Sequence, residues 1–183
     1  AKHHEFSRQG KRGLYQGLTF WSPNINIFRD PRWGRGMETY GEDPWLSGVL
    51  AAAFVTGVQN QGVATTPKHL IGNEAEYQRT TINSVIDERT FREVYLLPFE
   101  FAIRRGNALG VMTSYNRVNG TFASEDAALL NGILRDEWGF DGFVLSDFLF
   151  GLRDPVGSVA AGLDLEMPFL QQRAGSLPEA LAS

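Results

Sequence analysis

The stretch "GFVLSDFLFG", residues 142–151, decides the fold class: an apolar run stops at Ser146 and Asp147 and resumes with Phe148. A short apolar run bounded by glycine is typical of a buried strand. An acid directly after such a strand lies at its carboxyl end, which in parallel sheets is the edge that carries functional groups. The stretch therefore predicts a parallel α/β fold with polar side chains gathered along one edge.

The rest of the sequence alternates short apolar runs with longer helical patterns, as α/β proteins do. Strands are expected at residues 18–25, 63–70, 108–115 and 142–148, with a weaker fifth at 161–167. Helices are expected between them, with caps at Asp43, Asp87 and Ser124, terminating glycines at Gly62 and Gly139, and a kink at Pro98. This order implies right-handed crossovers and a parallel sheet.

Composition limits the classes of function. The 183 residues are 43% hydrophobic, contain no cysteine and carry a net charge of −4. Such a chain can bury a sizeable core and is expected to be one domain or a piece of a larger one. The negative charge gives no reason to expect nucleic acid or an anionic membrane as a partner. The lack of cysteine excludes disulfides and thiolate metal sites and leaves the compartment open.

The N-terminal stretch "AKHHEFSRQGKRG" is polar and lacks the apolar core of a signal peptide. No apolar run approaches the ~20 residues of a membrane span. We therefore expect a soluble chain without a membrane segment. Its localisation stays open, since a secreted or periplasmic full-length protein is compatible with this sequence, whose natural start is expected to lie before Ala1.

Polar side chains follow each expected strand. In strand order they are Lys68 and His69, Tyr115 and Asn116, Ser146 and Asp147, and Asp164 and Glu166. Asp147 alone would most often be a helix cap, and His69 alone a hydrogen-bonded structural histidine. Because these groups recur at equivalent strand ends, we rank a functional site first. The adjacent Lys68 and His69 indicate a polyhydroxylated or anionic ligand.

Two further motifs have simpler explanations. His3 and His4 lie in a polar stretch with only Glu5 as a nearby ligand type, so we expect a surface position and no metal site. "NGT", residues 119–121, matches a glycosylation sequon, but Asn-Gly is first a turn signal, and the turn is the favoured interpretation. No cofactor is indicated.

Residues 24–44, "NINIFRDPRWGRGMETYGEDP", combine three arginines, four carboxylates and three aromatic side chains with glycine and proline. A solvated loop has no need of the aromatic side chains. This composition therefore predicts a rigid, partly buried ion-pair network of the kind that holds one guanidinium in place for a ligand.

Five motifs occur in order between Gly17 and Pro168: "SPNINIFRDPRWGRGMETYGEDP", "KHLIGNEAEYQR", "VMTSYNRVNG", "LLNGILRDEWGFDGFVLSDF" and "AGLDLEMP". Together they resemble glycoside hydrolase family 3, in particular its β-glucosidase-like and β-xylosidase-like members. The resemblance implies a (β/α)8 TIM-barrel-like catalytic domain that acts on β-linked sugars with net retention. It assigns residues 1–183 to a partial barrel of about five β/α units, against eight in the complete fold.

Carried over residue by residue, the resemblance makes Asp147 of "VLSDF" the catalytic nucleophile and Arg35 of "WGRG" a hydrogen-bond donor to the sugar in the innermost subsite. Lys68 and His69 match a pair that grips adjacent sugar hydroxyls. Positive charge on these neighbours would favour the ionised form of Asp147. The subsite would also be lined by Met112, Tyr115 and Phe148, the last standing where many relatives carry tryptophan.

A retaining glycosidase also needs a protonated second carboxyl ~5–5.5 Å from the nucleophile, and the sequence does not identify it. In most relatives it belongs to a following α/β domain, and "IGNEAEYQR" lacks the Asp-His motif that supplies it in the N-acetylglucosaminidase branch. Glu74, Glu76 and Glu166 are available carboxylates without positional support. The expected function is an exo-acting β-glycosidase releasing β-D-glucosyl or xylosyl residues from a β-linked glucoside or oligosaccharide. The alternatives are a sugar-binding remnant without turnover and, last, a phosphate-binding α/β protein.

A complete (β/α)8 barrel takes ~250 residues, so an early strand, whose loop supplies a sugar-binding aspartate in relatives, is expected to lie before Ala1. An incomplete barrel leaves two sheet edges unpaired. Apolar side chains such as Phe20, Val111 and Val144 would then lack half of their packing partners. We therefore expect the isolated chain to self-associate through its open edges or to pack poorly.

Overall fold

The computed structural model describes residues 1–13, 15–169 and 171–182. The strands in this part of the chain are β1 Thr19–Phe20, β2 Ala64–Thr65, β3 Asn83–Ser84, β4 Gly110–Met112, β5 Arg117–Val118, β6 Thr121–Phe122 and β7 Phe143–Leu145. The α-helices are α1 Lys2–Arg8, α2 Pro44–Gln59, α3 Glu88–Thr90, α4 Leu97–Arg104, α5 Pro155–Ala161 and α6 Arg173–Ala182. Phe91–Leu96 and Ala128–Glu137 are π-helical, and Gly36–Glu38 and Ala123–Glu125 are 3-10 turns. None of these helices is both long and apolar enough to cross a membrane.

Chain segments at all five expected strand positions pair in parallel and in sequence order. β1 pairs with β2, and β4 pairs with β7. Single parallel bridges complete the series: Asn24 to Lys68, Leu70 to Thr113, and Leu145 to Leu165. The predicted strands and their parallel order are therefore confirmed, and their carboxyl ends share one edge.

Helical segments occupy every crossover between these strands. α2 lies between β1 and β2, and α3, the Phe91–Leu96 segment and α4 lie between β2 and β4. The Ala128–Glu137 segment lies between β4 and β7, and α5 leads to Leu165. This repeated β/α order with sequential neighbours is that of a (β/α) barrel, of which the described residues form a part.

Regular pairing covers less of each strand than the apolar runs predicted. The first strand was expected over residues 18–25, but β1 is 2 residues long. Pro23 and Pro67 lack an N–H and interrupt the ladder. Their carbonyls still accept hydrogen bonds, from the backbone N–H of Lys68 to Pro23 and of Met112 to Pro67, both at 3.0 Å. The strands thus stay side by side without regular ladder geometry.

Two of the predicted helix caps are confirmed. The side chain of Asp43 accepts the backbone N–H of Trp45 at 2.8 Å, and that of Asp87 accepts the N–H of Thr90 at 3.1 Å. Gly139 follows the Ala128–Glu137 segment with a φ of 70°, a conformation that favours glycine. These helix boundaries follow directly from the residue types at their ends.

Two helical features differ from the sequence prediction. The cap predicted at Ser124 is wrong, because Asp126 accepts the N–H of Leu129 at 3.1 Å, while the Ser124 hydroxyl is buried 2.6 Å from Oγ1 of Thr113. The interruption expected at Pro98 takes the form of the π-helical segment immediately before α4. The first difference arises because Asp126 competes with Ser124 for the capping position.

A hairpin that the sequence did not predict follows β4. β5 and β6 pair antiparallel across Asn119 and Gly120, whose φ angles of 50° and 100° are those of a type I′ turn, and β3 pairs in parallel with β5. The Asn119 side chain accepts the N–H of Ile86 and donates to its carbonyl, both at 2.9 Å. The turn interpretation of "NGT" is confirmed. These strands escaped prediction because they are short and largely polar.

The N-terminal residues form α1, which was also not predicted. Nδ1 of His3 lies 2.9 Å from the Gly17 carbonyl, and Nε2 of His4 lies 2.5 Å from the Gln61 carbonyl. Both histidines lie at the surface as predicted, half-buried by these contacts. Their contacts tie α1 to the chain before β1 and to the end of α2.

One continuous apolar cluster joins the strands to α2, α4 and the Ala128–Glu137 segment. Val111 in β4 and Val144 in β7 are fully buried in this cluster, while Phe20 in β1 is half-buried. The expectation that all three would lack packing partners is therefore wrong for both valines, because helices of this chain contribute to the same cluster.

We predict that Phe99→Ala will lower the free energy of unfolding by about 3–5 kcal/mol, because Phe99 is fully buried in α4 and its loss leaves a large cavity. Val85→Ala is the matched control, since Val85 is 82% exposed. Urea denaturation of both variants and the wild type measures the difference. Equal losses for the two variants would contradict the core position of Phe99.

Candidate active site

Side chains from separate strand ends converge at the carboxyl edge of the sheet. Arg35 lies in the loop between β1 and α2, His69 follows β2, and Asp147 follows β7. Nη1 of Arg35 lies 3.1 Å from Nε2 of His69, and the same Nε2 lies 3.7 Å from Oδ2 of Asp147. The structure therefore brings together three predicted site residues that are far apart in the sequence.

Asp147 is a buried carboxylate, 7% exposed. Its Oδ1 accepts the backbone N–H of Phe148 at 2.7 Å, and its Oδ2 has no hydrogen-bond partner among the described residues. Burial raises the pKa of Asp147, while the Phe148 N–H and the charges of Arg35 and Arg79 act to lower it. Asp147 thus caps no described helix and presents one unoccupied oxygen to the site.

His69 is 2% exposed and lies between Asn26 and Arg35. Arg35 can only donate, so Nε2 of His69 accepts, and the ring proton lies on Nδ1, which donates to Oδ1 of Asn26 at 3.1 Å. Burial, and then the charges of Arg35, Lys68 and Arg79, hold the pKa of His69 well below its usual range. The expectation that positive charge on His69 favours ionised Asp147 is therefore wrong, because the ring is neutral.

Arg35 is held by a bidentate pair with Glu38. Nε donates to Oε1 at 2.6 Å and Nη2 to Oε2 at 2.8 Å. Glu38 in turn accepts a hydrogen bond from Nδ2 of Asn24 at 3.3 Å. The prediction that residues 24–44 hold one guanidinium in place is confirmed for Arg35. The pair of Arg32 and Asp30 in the same loop is largely exposed.

Lys68 precedes His69, and its ammonium has no hydrogen-bond or ion-pair partner within residues 1–13, 15–169 and 171–182. Burial, and then the charge of Arg35, lower its pKa, while Glu38 and Asp147 act in the opposite direction. Lys68 also lines a cavity of about 760 Å³ together with Trp21. The rest of that cavity is lined by residues 3–22 and not by Arg35, His69 or Asp147.

Tyr115 and Phe148 form an aromatic border. The hydroxyl of Tyr115 donates to the carbonyl of Phe148 at 2.8 Å, and burial raises the pKa of that hydroxyl. The Phe148 ring meets Trp21 edge to face, with centroids 4.7 Å apart. Met112, the last residue of β4, is buried at 3% exposure. All seven predicted site residues thus lie at or shortly after the ends of β2, β4 and β7, or in the loop after β1.

Sequence reasoning missed the residues that hold the predicted ones. Asn24 and Asn26 face the site, while Ile25 between them is fully buried in the core. The alternation of polar and apolar residues along this strand end could have indicated from the sequence that both asparagines face the site. Arg79 was missed without such a signal: its guanidinium lies 4.9 Å from the centre of the Tyr115 ring and lowers the pKa of Asp147.

The three carboxylates considered as proton donors have other partners. Glu76 accepts hydrogen bonds from Nε1 of Trp33 at 2.9 Å and from Nη1 of Arg79 at 2.6 Å. Glu166 accepts the backbone N–H groups at the start of α6, from residues 171–173. Glu74 accepts from Nδ2 of Asn26 at 3.3 Å. In the described part of the chain, no group of three or more His, Cys, Asp or Glu side chains is arranged to hold a metal ion.

Fold and site together define a (β/α)-barrel protein with a buried carboxylate at the carboxyl edge of its sheet. A model of the glycosyl hydrolase family 3 N terminal domain matches residues 14–178. The chain belongs to this glycoside hydrolase family, and the sequence-based resemblance is confirmed.

The relatives are named β-glucosidases. A β-glucosidase of Rhizobium radiobacter is 51% identical over 147 residues, which is 80% of this chain and 18% of that protein. A solved structure of β-glucosidase 3B from Thermotoga neapolitana in complex with glucose has a TM-score of 0.88 and 40% identity, covering 92% of this chain and 24% of that one. A β-glucosidase from Kluyveromyces marxianus in complex with glucose has a TM-score of 0.86 and 40% identity over 90% of this chain and 20% of that one. The chain thus spans about a fifth of the curated relatives it matches.

Glu74 generates a prediction about pH. Burial raises the pKa of Glu74 from 4.5 to about 7, so the folded chain binds more protons than the unfolded chain between these values. Its contribution to stability is therefore present at low pH and is lost as the pH rises through 7. We predict that the melting temperature of Glu74→Gln, measured relative to that of the wild type, will be about 2–6 °C higher at pH 8 than at pH 5.

The control is Glu42→Gln, at an exposed carboxylate. Its melting temperature should follow the wild type at every pH. A constant difference between Glu74→Gln and the wild type across this range would show that Glu74 titrates with an ordinary pKa.

Proposed function

We propose that residues 1–183 are part of the catalytic barrel of a retaining, exo-acting β-glycosidase that releases terminal β-D-glucosyl residues, with xylosyl residues second. One observation carries this proposal: Oδ2 of Asp147 is buried and without a partner at the edge where Arg35 and His69 converge. The names of the relatives and the glucose in two of the solved structures support the substrate class.

Asp147 acts as the nucleophile in this proposal. Its unoccupied oxygen attacks the anomeric carbon, the bond to the leaving oxygen breaks, and a glycosyl ester of Asp147 forms. The leaving oxygen takes a proton from a second carboxyl. Water then attacks the same carbon from the side of the departed aglycone and gives its proton to the second carboxylate, while the bond to Asp147 breaks, which frees Asp147 and gives net retention of configuration.

Asp147 must be ionised to attack, and the groups around its carboxyl determine whether it is ionised. Burial works against the charge, whereas the Phe148 N–H and the guanidinium groups of Arg35 and Arg79 favour it. These donors are fixed before substrate arrives, so no reorganisation is needed during the reaction. Neutral His69 contributes hydrogen bonding in place of charge.

The polar groups at the edge suit the hydroxyls of a neutral sugar. Lys68 and Arg35 donate hydrogen bonds, and Nε2 of His69 accepts one from a hydroxyl that takes the place of the Arg35 contact. Arg35 and Arg79 are already paired with Glu38 and Glu76, which leaves no second free cationic clamp for a uronate among the site residues that the structure describes. We therefore propose that β-glucosides are preferred over charged sugars, with Met112, Tyr115 and Phe148 lining the subsite.

A sugar-binding remnant without turnover is the second candidate. The observation that favours it is that Glu74, Glu76 and Glu166 all have other partners, so none is free to protonate a leaving group. An aryl β-glucoside with an activated leaving group distinguishes the two candidates, because its departure needs little protonation. Turnover of that substrate supports the enzyme, and binding alone supports the remnant.

We predict that Asp147→Asn will abolish turnover of an aryl β-glucoside by the longest natural polypeptide that contains these residues. The substitution removes the attacking charge and keeps the shape of the side chain, so the fold should be unchanged. Asp141→Asn, at an exposed carboxylate before β7, is the control and should keep full activity. Activity of Asp147→Asn within a few-fold of the wild type would remove Asp147 from the nucleophile role.

We also propose that the isolated chain self-associates through its sheet edges. Among the described residues, β1 pairs only with β2, and Leu165 bridges only to Leu145, so both outer segments expose unpaired backbone groups. Size-exclusion chromatography with light scattering should give masses above the 20.3 kDa of one chain. A monodisperse monomer with a sharp cooperative melt would show that the chain closes its own core.

A further inference from the structure

The buried side-chain amide of Asn26 makes several hydrogen bonds to His69. Asn26 is 1% exposed and lies in the segment that follows β1. Its Oδ1 accepts the backbone N–H of His69 at 2.9 Å and the ring Nδ1–H at 3.1 Å, and its Nδ2 donates to the His69 carbonyl at 2.9 Å. Because all three bonds go to one residue, Asn26 fixes both the backbone and the ring of His69.

The same amide permits one tautomer of the ring. The backbone N–H and carbonyl of His69 orient the amide so that its oxygen faces the ring. Nδ1 must then carry the proton, and Nε2 keeps its lone pair, which accepts from Arg35 and lies 3.7 Å from Oδ2 of Asp147. If Nε2 carried the proton, its N–H would face the Nη1–H of Arg35, and two donors would point at each other.

The carboxyl group of Glu74 lies next to the side-chain amide of Asn26. Nδ2 of Asn26 lies 3.3 Å from Oε1 of Glu74, in addition to its bond to His69. A flipped amide would place its oxygen against the His69 carbonyl oxygen and, once Glu74 is ionised, against the Glu74 carboxylate as well. Glu74 therefore disfavours the flipped orientation, and its side chain lines a cavity of about 570 Å³.

We propose that Asn26 is a positioning residue that holds His69 as the neutral Nδ1–H tautomer, so that Nε2 is kept as a hydrogen-bond acceptor beside Asp147, with Glu74 fixing the orientation of the amide. The role in catalysis rests on the proposed function. The tautomer is a property of the chain itself and can be measured without substrate.

The charges around the ring set the expected effect of substitution. Arg35 from the loop after β1, Lys68 beside the ring and Arg79 from the loop after β2 oppose protonation of His69, while Asp147 after β7 is the carboxylate that favours it. Asn26→Asp would place a second carboxylate against Nδ1, where it stabilises the imidazolium form. The variant would thus convert a neutral acceptor into a cation that can only donate.

The test is nitrogen-15 NMR of the histidine rings in the longest natural polypeptide that contains these residues, with His69→Gln to assign the His69 signals. In the wild type, His69 should stay neutral with its proton on Nδ1 from pH 5 to pH 8. Asn26→Asp should protonate the ring within this range. Glu74→Gln should keep the Nδ1–H tautomer, because the glutamine oxygen also accepts from Nδ2 of Asn26.

Asn119→Asp is the matched control. Asn119 holds the N–H and carbonyl of Ile86 by the same two bonds that Asn26 makes to the backbone of His69, but it lies in the β5–β6 turn. It should leave the His69 signals unchanged. An Nε2–H tautomer in the wild type, a measurement that needs no variant, would overturn the proposal, as would His69 signals that are the same in Asn26→Asp and in Asn119→Asp.

Activity provides the second readout. In the longest natural polypeptide, kcat/KM for an aryl β-glucoside should fall about 10- to 100-fold in Asn26→Asp, with an altered pH profile, and should stay within about twofold in Asn119→Asp. If Asp147→Asn stays active, the proposed function fails while the tautomer assignment stands. If Asp147→Asn is inactive but Asn26→Asp keeps wild-type kcat/KM and pH profile, the positioning role alone fails.

Discussion

Parallel pairing of consecutive strands is the constraint on which the rest of this structure depends. Each strand must be followed by a helical crossover before the next parallel strand can add, so every carboxyl end reaches the same edge. The pairing of β1 with β2 and of β4 with β7, together with the bridges between them, therefore places His69 and Asp147 within 3.7 Å of each other. Loops can vary around this edge without disturbing the core beneath it.

The cost of burying a carboxylate explains how the charged groups around Asp147 are arranged at this edge of the sheet. A charge removed from water must be compensated by hydrogen bonds or by opposite charge. Asp147 receives one backbone hydrogen bond and the fields of Arg35 and Arg79, while Oδ2 is left open. Each arginine is in turn fixed by a glutamate, Arg35 by Glu38 and Arg79 by Glu76. One oxygen of Asp147 is thus hydrogen-bonded and the other has no partner, an arrangement that suits the proposed role of Asp147 as nucleophile.

The segment after β1 shows how a strand end organises a site. Along residues 24–26, the side chain of Ile25 enters the core, and the two asparagines reach toward the edge. One asparagine supports Glu38 and through it Arg35, and the other holds His69 directly. Neither of these asparagines was identified from the sequence. Both connect the packed core to the groups proposed to bind sugar.

Apolar runs and end residues predicted the strands, their parallel order and the convergence of His69 and Asp147, because these depend on local pattern and on topology. Arg35 was assigned to the site by the family resemblance. The cap at Ser124 was wrong because Asp126, two residues later, competes for the same role. The neutral state of His69 could not be predicted, since it depends on Asn26 and Arg35, which are remote in sequence. Glu74, Glu76 and Glu166, the carboxylates that the sequence offered as proton donors, each have other partners in the structure.

Trapping the glycosyl ester tests the central claim, that Asp147 is the nucleophile of a β-glycosidase, most directly. The longest natural polypeptide would be treated with an aryl 2-deoxy-2-fluoro-β-glucoside, whose fluorine slows hydrolysis of the ester, and its peptides analysed by mass spectrometry. The account predicts one sugar bound to the peptide that contains residues 142–151, with fragmentation placing it on Asp147. A sugar on a different carboxylate, or turnover without any trapped ester, would contradict it.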